Sequence, residues 1–229
     1  MIQFIEIYRR AVDLIKDPHL SRSFYTNQIQ FQKEMYPFLR NGISRITAPP
    51  QVVALLVEQQ PPEGKMEIFE GAGDKTYLLS TIPPAGSDQQ FFVNGQPDNT
   101  AIYDPVLNRV IFSSPIEPGQ TAAFEWYQSG AFTADFKKVC GPIPVASFVE
   151  RITDLLAHAC AVSWGERERN SLLDGVLNNL TDTDFKVHSP AQSLSAKREW
   201  VKEMRLELMN SQQQLGWDLR NQKRSSYGY

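Results

Sequence analysis

The distribution of proline and glycine limits the possible folds of this chain more than any other feature of its sequence. Residues 61–134 contain eight of the fifteen prolines and seven of the thirteen glycines, whereas residues 145–229 contain one proline, Pro190. Proline interrupts helices, and both residue types favour turns. The central segment is therefore predicted to form short strands joined by turns, and the flanking segments are predicted to be helical.

The N-terminal segment, residues 1–60, carries apolar residues at helical spacing. Near the start of the chain they recur every three or four positions, which predicts an amphipathic helix over residues 2–16. Phenylalanines seven positions apart then predict a second helix, which we expect Asn41-Gly42 to terminate. Residues 43–60 are compatible with a short strand or with a buried helical turn.

The C-terminal segment has the longest helical patterns. An apolar stripe that begins at Val145 predicts one long helix or two consecutive ones, with Gly165 and Gly175 as places where the helix would break or bend. Beyond Pro190, apolar residues at strict seven-residue spacing predict a further long helix with a coiled-coil-like seam. They are Leu194, Val201, Leu208 and Leu215.

Together these patterns predict an α+β protein. The apolar stripes are too long to be left in water, so we expect residues 1–60 and 135–229 to pack against each other as a discontinuous helical bundle. Residues 61–134 are expected to form an inserted antiparallel β-sandwich or barrel-like domain of about five or six strands. Residues 221–229, which are basic and aromatic, are expected to form a flexible C-terminal arm.

Composition argues against several classes of protein. A net charge of −3 is unlike that of a dedicated DNA-coating protein, which usually has a strongly basic face. No apolar run approaches the roughly 20 residues of a membrane helix, and the first residues lack the pattern of a secretory signal. Two cysteines are too few for a disulfide framework, so we expect a reducing compartment. Three histidines far apart in the sequence do not suggest a zinc site, and we expect no cofactor.

The motifs that usually mark an enzyme are missing, so we predict no catalytic and no metal-binding residues. The sequence has no Walker loop, GxSxG elbow, HExxH or GxGxxG, and EGAGDK at residues 70–75 is interpreted as a strand-joining turn. His158 is more typical of a core or interface residue, and Cys140 of a structural thiol. A local polar cluster is more typical of a helix cap and turn than of a metal site. It consists of Asp182, Asp184 and His188.

Charge is unevenly distributed along the chain. Residues 61–134 carry nine acidic and three basic side chains, net −6, whereas residues 190–229 carry seven basic and four acidic ones, net +3. This polarity suits head-to-tail contacts between copies, and an ordinary solvated surface explains it as well. Binding of the last helix to nucleic acid is a third alternative, which its interleaved glutamates weaken.

The central segment resembles a pattern found in structural proteins of tailed bacteriophages. Its pieces run in the order MEIFEGAGDKTYLLS, FFVNGQPDNTAIYD and NRVIFSSPIEPGQTAAFEWYQSGAF, and later come DFKVHSPAQSLSAKREWVKEMRLELM and a basic tail. This arrangement is similar to phage neck or head–tail connector proteins (adaptors), which are helical-bundle subunits arranged in rings beneath the portal. The segment 61–134 is longer than the excursion usual in that family.

The resemblance implies a non-enzymatic virion protein of the neck or tail region, made in the host cytoplasm. It implies a homo-oligomeric ring, commonly a dodecamer, that joins the portal protein to a downstream neck or tail protein. DNA would pass through the lumen without specific binding, and no membrane is involved. We expect the contacts with the portal or a neighbouring subunit to lie in the tail and in one hairpin. These residues are Trp217, Arg220, Lys223, Arg224, Tyr227, Tyr229, Pro115, Pro118 and Gly119.

Two alternative functions compete with the connector. The first is a baseplate or tail structural protein whose β domain binds a glycan or another partner, with aromatic side chains stacking on sugars. Those aromatics are Phe91, Phe92, Trp126 and Tyr127. The second is an enzyme with weak motifs. Because side chains alternate across a sheet, packing in the core is the simpler role for most of the aromatics.

Overall fold

In the computed structural model, which describes residues 1–57, 59–141, 143–179 and 190–225, helices from both ends of the chain flank an inserted antiparallel sheet region. The α+β prediction is therefore confirmed. The helices are α1 (Phe4–Ile15), α2 (Pro18–Thr26), α3 (Gln28–Ile43), α4 (Pro50–Leu56), α5 (Phe136–Val139), α6 (Val145–Asn179) and α7 (Pro190–Ser225). The strands are β1 (Ile2–Gln3), β2 (Gln59–Gln60), β3 (Glu63–Glu70), β4 (Asp74–Leu78), β5 (Asp88–Val93), β6 (Gln96–Pro97), β7 (Ile102–Asp104), β8 (Arg109–Ile116), β9 (Thr121–Gln128) and β10 (Ala131–Phe132).

The chain divides into a helical unit and a β unit. The β unit comprises Pro61–Gly130 with Asn27–Gln30, and the helical unit contains the other N-terminal residues and the chain from Ala131 onward. Residues 131–134, predicted to lie in the inserted domain, therefore belong to the helical unit. The reason is that β10 pairs with both β1 and β2, so the two ends of the inserted segment lie side by side.

The helical unit is built around the middle of α6. Between Leu155 and Trp164 every side chain is buried except that of His158, which is half-buried. A helix that is enclosed on all sides needs an apolar surface all round, which explains the run of small and apolar residues in this stretch. The described parts of α1 to α5 and α7 all contribute side chains to the same core.

Close helix contacts explain two glycines that the sequence suggested as helix ends. A Cβ atom on Gly42 would lie 2.5 Å from the backbone oxygen of Ala159, so α3 passes directly over the backbone of α6. α3 ends at Ile43, one residue beyond the Asn41-Gly42 pair that the sequence suggests as its terminator. Similarly, α6 runs unbroken through Gly165, against which Trp200 of α7 packs.

The last helix extends further than the sequence predicts. The positions of its seven-residue repeat are buried, as expected of a seam. However, α7 continues to Ser225, so residues 221–225 of the predicted flexible arm are helical. Glutamine, lysine and arginine in this stretch are good helix formers, which allows the helix to continue. Residues 226–229 lie outside the described residues.

The β unit is a sandwich of two antiparallel sheets, in the orders β3-β9-β5-β6 and β4-β8-β7. Side chains from the inner faces form a second core that is separate from the helical one. Aromatic rings meet across it, with 5.0 Å between the ring centres of Phe69 and Tyr77 and 5.7 Å between those of Tyr103 and Phe124. The alternation along each strand therefore places most aromatics inside, as expected for a two-layer sheet.

Candidate interaction surfaces

Two of the predicted tail contacts are exposed on the C-terminal part of α7. The side chain of Trp217 is 64% exposed, which is unusual for a residue of its size, and Arg220 is also exposed. The guanidinium of Arg220 donates from Nε to the backbone oxygen of Gly216 at 3.0 Å. Lys223 and Arg224 lie on the same helix, and the structure describes only their backbone. Tyr227 and Tyr229 lie outside the described residues.

A groove of about 730 Å³ lies beside this part of α7, along the segment that leads into α4. Its volume is within the range of roughly 300–1,000 Å³ that is usual for ligand pockets. The apolar walls come from Pro49 and from three side chains of α7: Leu208 and Leu219, which are buried, and Met209, which is 47% exposed. The groove therefore offers an apolar surface that is open to solvent.

One glutamine on α7 holds the far wall of the groove in place. The side-chain oxygen of Gln212 accepts hydrogen bonds from the backbone N–H groups of Thr47 and Ala48, at 3.1 and 3.3 Å. Its amide nitrogen donates to the backbone oxygen of Arg45 at 3.4 Å. These contacts satisfy the extended backbone before α4, where Pro50 occupies the first helical turn. The wall of the groove is thus held by hydrogen bonds within the chain.

The groove is also positively charged. Arg45, Arg205 and Arg220 line it, and no acidic residue lines it in the part of the chain that the structure describes. Glu166 of α6 lies behind and accepts hydrogen bonds from both Arg45 and Arg205, the second through Nε at 3.0 Å. Three guanidinium groups outweigh one carboxylate, so the groove favours an occupant that combines apolar and acidic groups.

The predicted contact hairpin is a well-ordered turn between β8 and β9. Pro118 and Gly119 form its corner, and Gly119 has the positive φ of +89° that favours glycine there. The backbone N–H of Gln120 donates to the oxygen of Glu117 at 2.9 Å, and the Gln120 side chain accepts from the N–H of Glu117 at 3.0 Å. Pro115, Glu117 and Pro118 are exposed.

The end of the sandwich that carries this hairpin is acidic, and backbone hydrogen bonds join its two turns. Gly71 N–H donates to the oxygen of Gln120 and Gly73 N–H to that of Ile116, so the β3–β4 turn supports the hairpin. EGAGDK is thus the strand-joining turn that the sequence predicts. Lys75 also lies in this region and donates to the backbone oxygen of Ser113. The carboxylates of this end are Glu70, Asp74, Asp98 and Glu117.

Internal hydrogen bonds hold several carboxylates of the β unit in the charged state, and Asp98 and Glu67 are two of them. Burial opposes ionisation of Asp98, but hydrogen bonds from Thr100 and Ser113 outweigh it and lower the pKa of Asp98. Burial likewise opposes ionisation of Glu67, and the bonds from Ser80 at 2.8 and 2.9 Å contribute most to lowering its pKa. Both groups therefore stabilise the folded β unit while they are ionised.

The β unit is expected to lose stability in acid through these groups. A carboxylate with a lowered folded pKa stabilises the protein above its unfolded pKa of about 4, and this stabilisation is lost as the pH falls through the folded pKa. Glu67→Gln should therefore lower the free energy of unfolding at neutral pH by about 1–2 kcal/mol and weaken the acid dependence. Hydrogen exchange of β-unit peptides from neutral to acid pH measures both effects.

Glu63→Gln is the matched control, because Glu63 lies on the same strand but is exposed. It should leave both the neutral stability and its acid dependence unchanged. The assignment to Glu67 would be refuted if the Glu67→Gln protein lost as much stability in acid as the unmodified protein does.

The aromatics proposed to stack on a glycan are mostly part of the core. Trp126 and Tyr127 are 3% and 5% exposed, and Phe91 packs against Phe124 with 5.2 Å between ring centres. Phe92 is half-buried. Buried rings cannot stack on a sugar, so the structure places little of the expected stacking surface in reach of a glycan.

An exposed apolar tip occupies the opposite end of the sandwich. Val106 and Leu107, in the turn between β7 and β8, are 88% and 53% exposed. Asp104 fixes this turn, because its side chain accepts hydrogen bonds from the backbone N–H groups of both residues at 3.0 and 3.3 Å. Leu78 and Ile102 are exposed on the outer face of the same sheet. Contiguous exposed apolar side chains are typical of a protein contact site.

The histidine and cysteines that were considered as chemical groups make structural contacts. His158 bridges α6 and α7, with Nε2 at 3.3 Å from a carboxylate oxygen of Glu207. Cys140 is buried and its thiol donates to the backbone oxygen of Lys137, while burial raises the pKa of the Cys160 thiol. The described residues hold no group of three metal-ligating side chains and no helix long and apolar enough to cross a membrane. Asp182, Asp184 and His188 lie outside them.

Comparison with known proteins adds no assignment. No family model, no curated protein and no solved structure matches this chain.

The groove is the feature that reasoning from the sequence missed. Residues 45–51 and residues 205–220 form it together, and no short motif links two segments so far apart in the chain. Three arginines near apolar helical positions are a common pattern on any surface helix. A partial signal was present in Pro49-Pro50, which excludes a strand there and favours the start of a helix.

Proposed function

We propose that this chain is a virion structural protein of the head–tail connector type, an adaptor or neck ring that joins the portal to the tail. Copies form a closed ring whose lumen passes DNA, and a downstream neck or tail protein binds the opposite side. The protein acts by adhesion and alignment. A moderately acidic surface suits such a lumen, because it does not hold the phosphate backbone.

The observation that carries this proposal is the end of α7. There the side chain of Trp217 is 64% exposed, in the region where the resemblance implies portal contact. Tryptophan and arginine contribute the most energy to protein interfaces. Helices from both ends of the chain share one core, which supports the same conclusion because the family is built from helical-bundle subunits.

A specific feature supports a downstream protein partner. The rigid tip with Val106 and Leu107 exposes apolar side chains that the β unit does not use for its own core. A turn fixed in this way loses little entropy when it binds. We propose that this tip contacts the next ring or the tail.

The connector function is tested with Trp217→Ala, a change at an exposed position of α7. Trp217→Ala should weaken binding to purified portal about tenfold or more, since central interface tryptophans contribute at least about 2 kcal/mol. Co-sedimentation measures this, and a gold-labelled tag should appear at the neck of the particle. Tyr25→Ala, which removes an aromatic that is 78% exposed on α2, is the control. A label elsewhere in the particle, or no portal binding by the unmodified protein, would exclude the connector function.

A further inference from the structure

The two units of this chain carry surfaces of opposite charge and matching chemistry. The groove of the helical unit is apolar with three arginines, and the hairpin end of the β unit combines four carboxylates and one lysine, Lys75, with exposed prolines. Each surface is held by its own hydrogen bonds, through Gln212 in the groove and through Gln120 in the hairpin. Surfaces that are ordered before binding lose less conformational entropy when they meet.

We infer that the groove binds the Pro115–Gly119 hairpin of a second copy of this chain. The inference rests on the proposed function, since it names the contact through which the copies of the ring join. It goes beyond that function because it assigns a donor surface and an acceptor surface to different units of the protein.

Charge complementarity is the first argument for this occupant. Glu117 lies at the exposed corner of the hairpin, and a guanidinium binds a carboxylate through two parallel hydrogen bonds. Arg220 is exposed, whereas Arg45 and Arg205 share Glu166, so Arg220 is the residue best placed to meet Glu117. The net charge of −6 on residues 61–134 draws this unit as a whole toward a basic groove.

Apolar complementarity is the second argument. Pro115 and Pro118 flank Glu117, and their rings are exposed on a turn that is already fixed. The groove is lined by Leu208 and Leu219, which are already buried, and by Met209, which is 47% exposed. Seating the proline rings there would remove apolar surface of Met209 and of both prolines from water.

The symmetry of the contact agrees with a ring. The groove and the hairpin are different surfaces, so each copy uses its groove with one neighbour and its hairpin with another. Such a heterologous contact generates a closed ring when its rotation closes and an open filament when it does not.

A charge exchange tests the inference. Arg220→Glu and Glu117→Lys should each weaken self-association about tenfold or more, because each places like charges in contact. The protein that carries both changes should recover most of the self-association. In that protein the glutamate introduced at position 220 of one copy meets the lysine introduced at position 117 of the next. Analytical ultracentrifugation measures the association constant of each protein. Both residues are exposed, so neither change removes a core contact.

Two controls carry the same charge changes elsewhere. Arg22→Glu on α2 and Glu63→Lys on β3 alter exposed residues outside the groove and the hairpin, and both should associate like the unmodified protein. Recovery in the double variant separates a charge contact from misfolding, because a misfolded single variant would not be rescued by a second change.

The outcomes separate the inference from the proposed function. The inference is overturned if the unmodified protein stays monomeric at its highest soluble concentration, if either single variant associates normally, or if the double variant does not recover. If the gold label still marks the neck in such a case, the connector function stands and copies join through another surface. If the charge exchange works and the label is absent from the neck, the contact stands and the connector function fails.

Discussion

Gly42→Ala is expected to lower the free energy of unfolding by about 3 kcal/mol, although alanine normally stabilises a helix. The added Cβ would lie 2.5 Å from the backbone oxygen of Ala159 and 2.6 Å from its carbonyl carbon. These are backbone atoms in the fully buried middle of α6, which cannot turn away as a long side chain can. The clash is relieved only by moving α3 away from α6, which opens the helical core.

Gly216→Ala is the matched control, because Gly216 also lies within a helix. The nearest atoms to its added Cβ are 3.6 and 3.7 Å away, which is ordinary van der Waals contact. Alanine should therefore stabilise α7 by up to about 1 kcal/mol through helix propensity. Urea denaturation followed by circular dichroism measures both proteins. If Gly42→Ala were as stable as Gly216→Ala, the close contact between α3 and α6 would be wrong.

Gly71→Ala is expected to destabilise the β unit by about 3 kcal/mol and to displace the hairpin between β8 and β9. The added Cβ would lie 2.0 Å from the backbone oxygen of Glu117 and 2.8 Å from that of Ile116. Gly71 also donates its N–H to the oxygen of Gln120, so a shift of the β3–β4 turn breaks the bond that supports the hairpin. The glycine is needed because two turns meet there without room for a side chain.

Gly95→Ala serves as the comparison for Gly71→Ala. Gly95 has a positive φ of +75° and open space around its Cβ position. Alanine there therefore costs only about 1–2 kcal/mol of backbone strain. Hydrogen exchange of peptides from residues 109–128 should show much greater loss of protection in Gly71→Ala than in Gly95→Ala. Equal protection in the two proteins would mean that the β3–β4 turn does not support the hairpin.

Local sequence patterns predicted most elements of the fold. Proline and glycine density separated the sheet region from the helices, and the seven-residue repeat of α7 identified buried positions. These features depend on backbone preferences and on the period of apolar residues, which neighbours along the chain determine. For the same reason Pro118-Gly119 predicted the turn of the contact hairpin, which the structure contains.

Contacts between distant helices and the groove were not predictable in this way. Asn41-Gly42 has the composition of a helix terminator, and α3 ends at Ile43, but nothing in the local sequence indicates that the backbone of Ala159 leaves no room for a side chain at Gly42. Arg45 and Arg205 become neighbours only because Glu166 of a third element binds both. Such contacts join residues that are distant in the chain, and no local preference encodes them.

The sequence by itself determined which stretches are helix or strand, where turns fall, and how charge divides between the central segment and the last helix. Only the tertiary structure decided which arginines share a groove, which aromatics are buried and which glycines are indispensable. The physical reason is that secondary structure follows from interactions within a few residues, whereas a binding surface depends on the packing of segments that are far apart in the sequence.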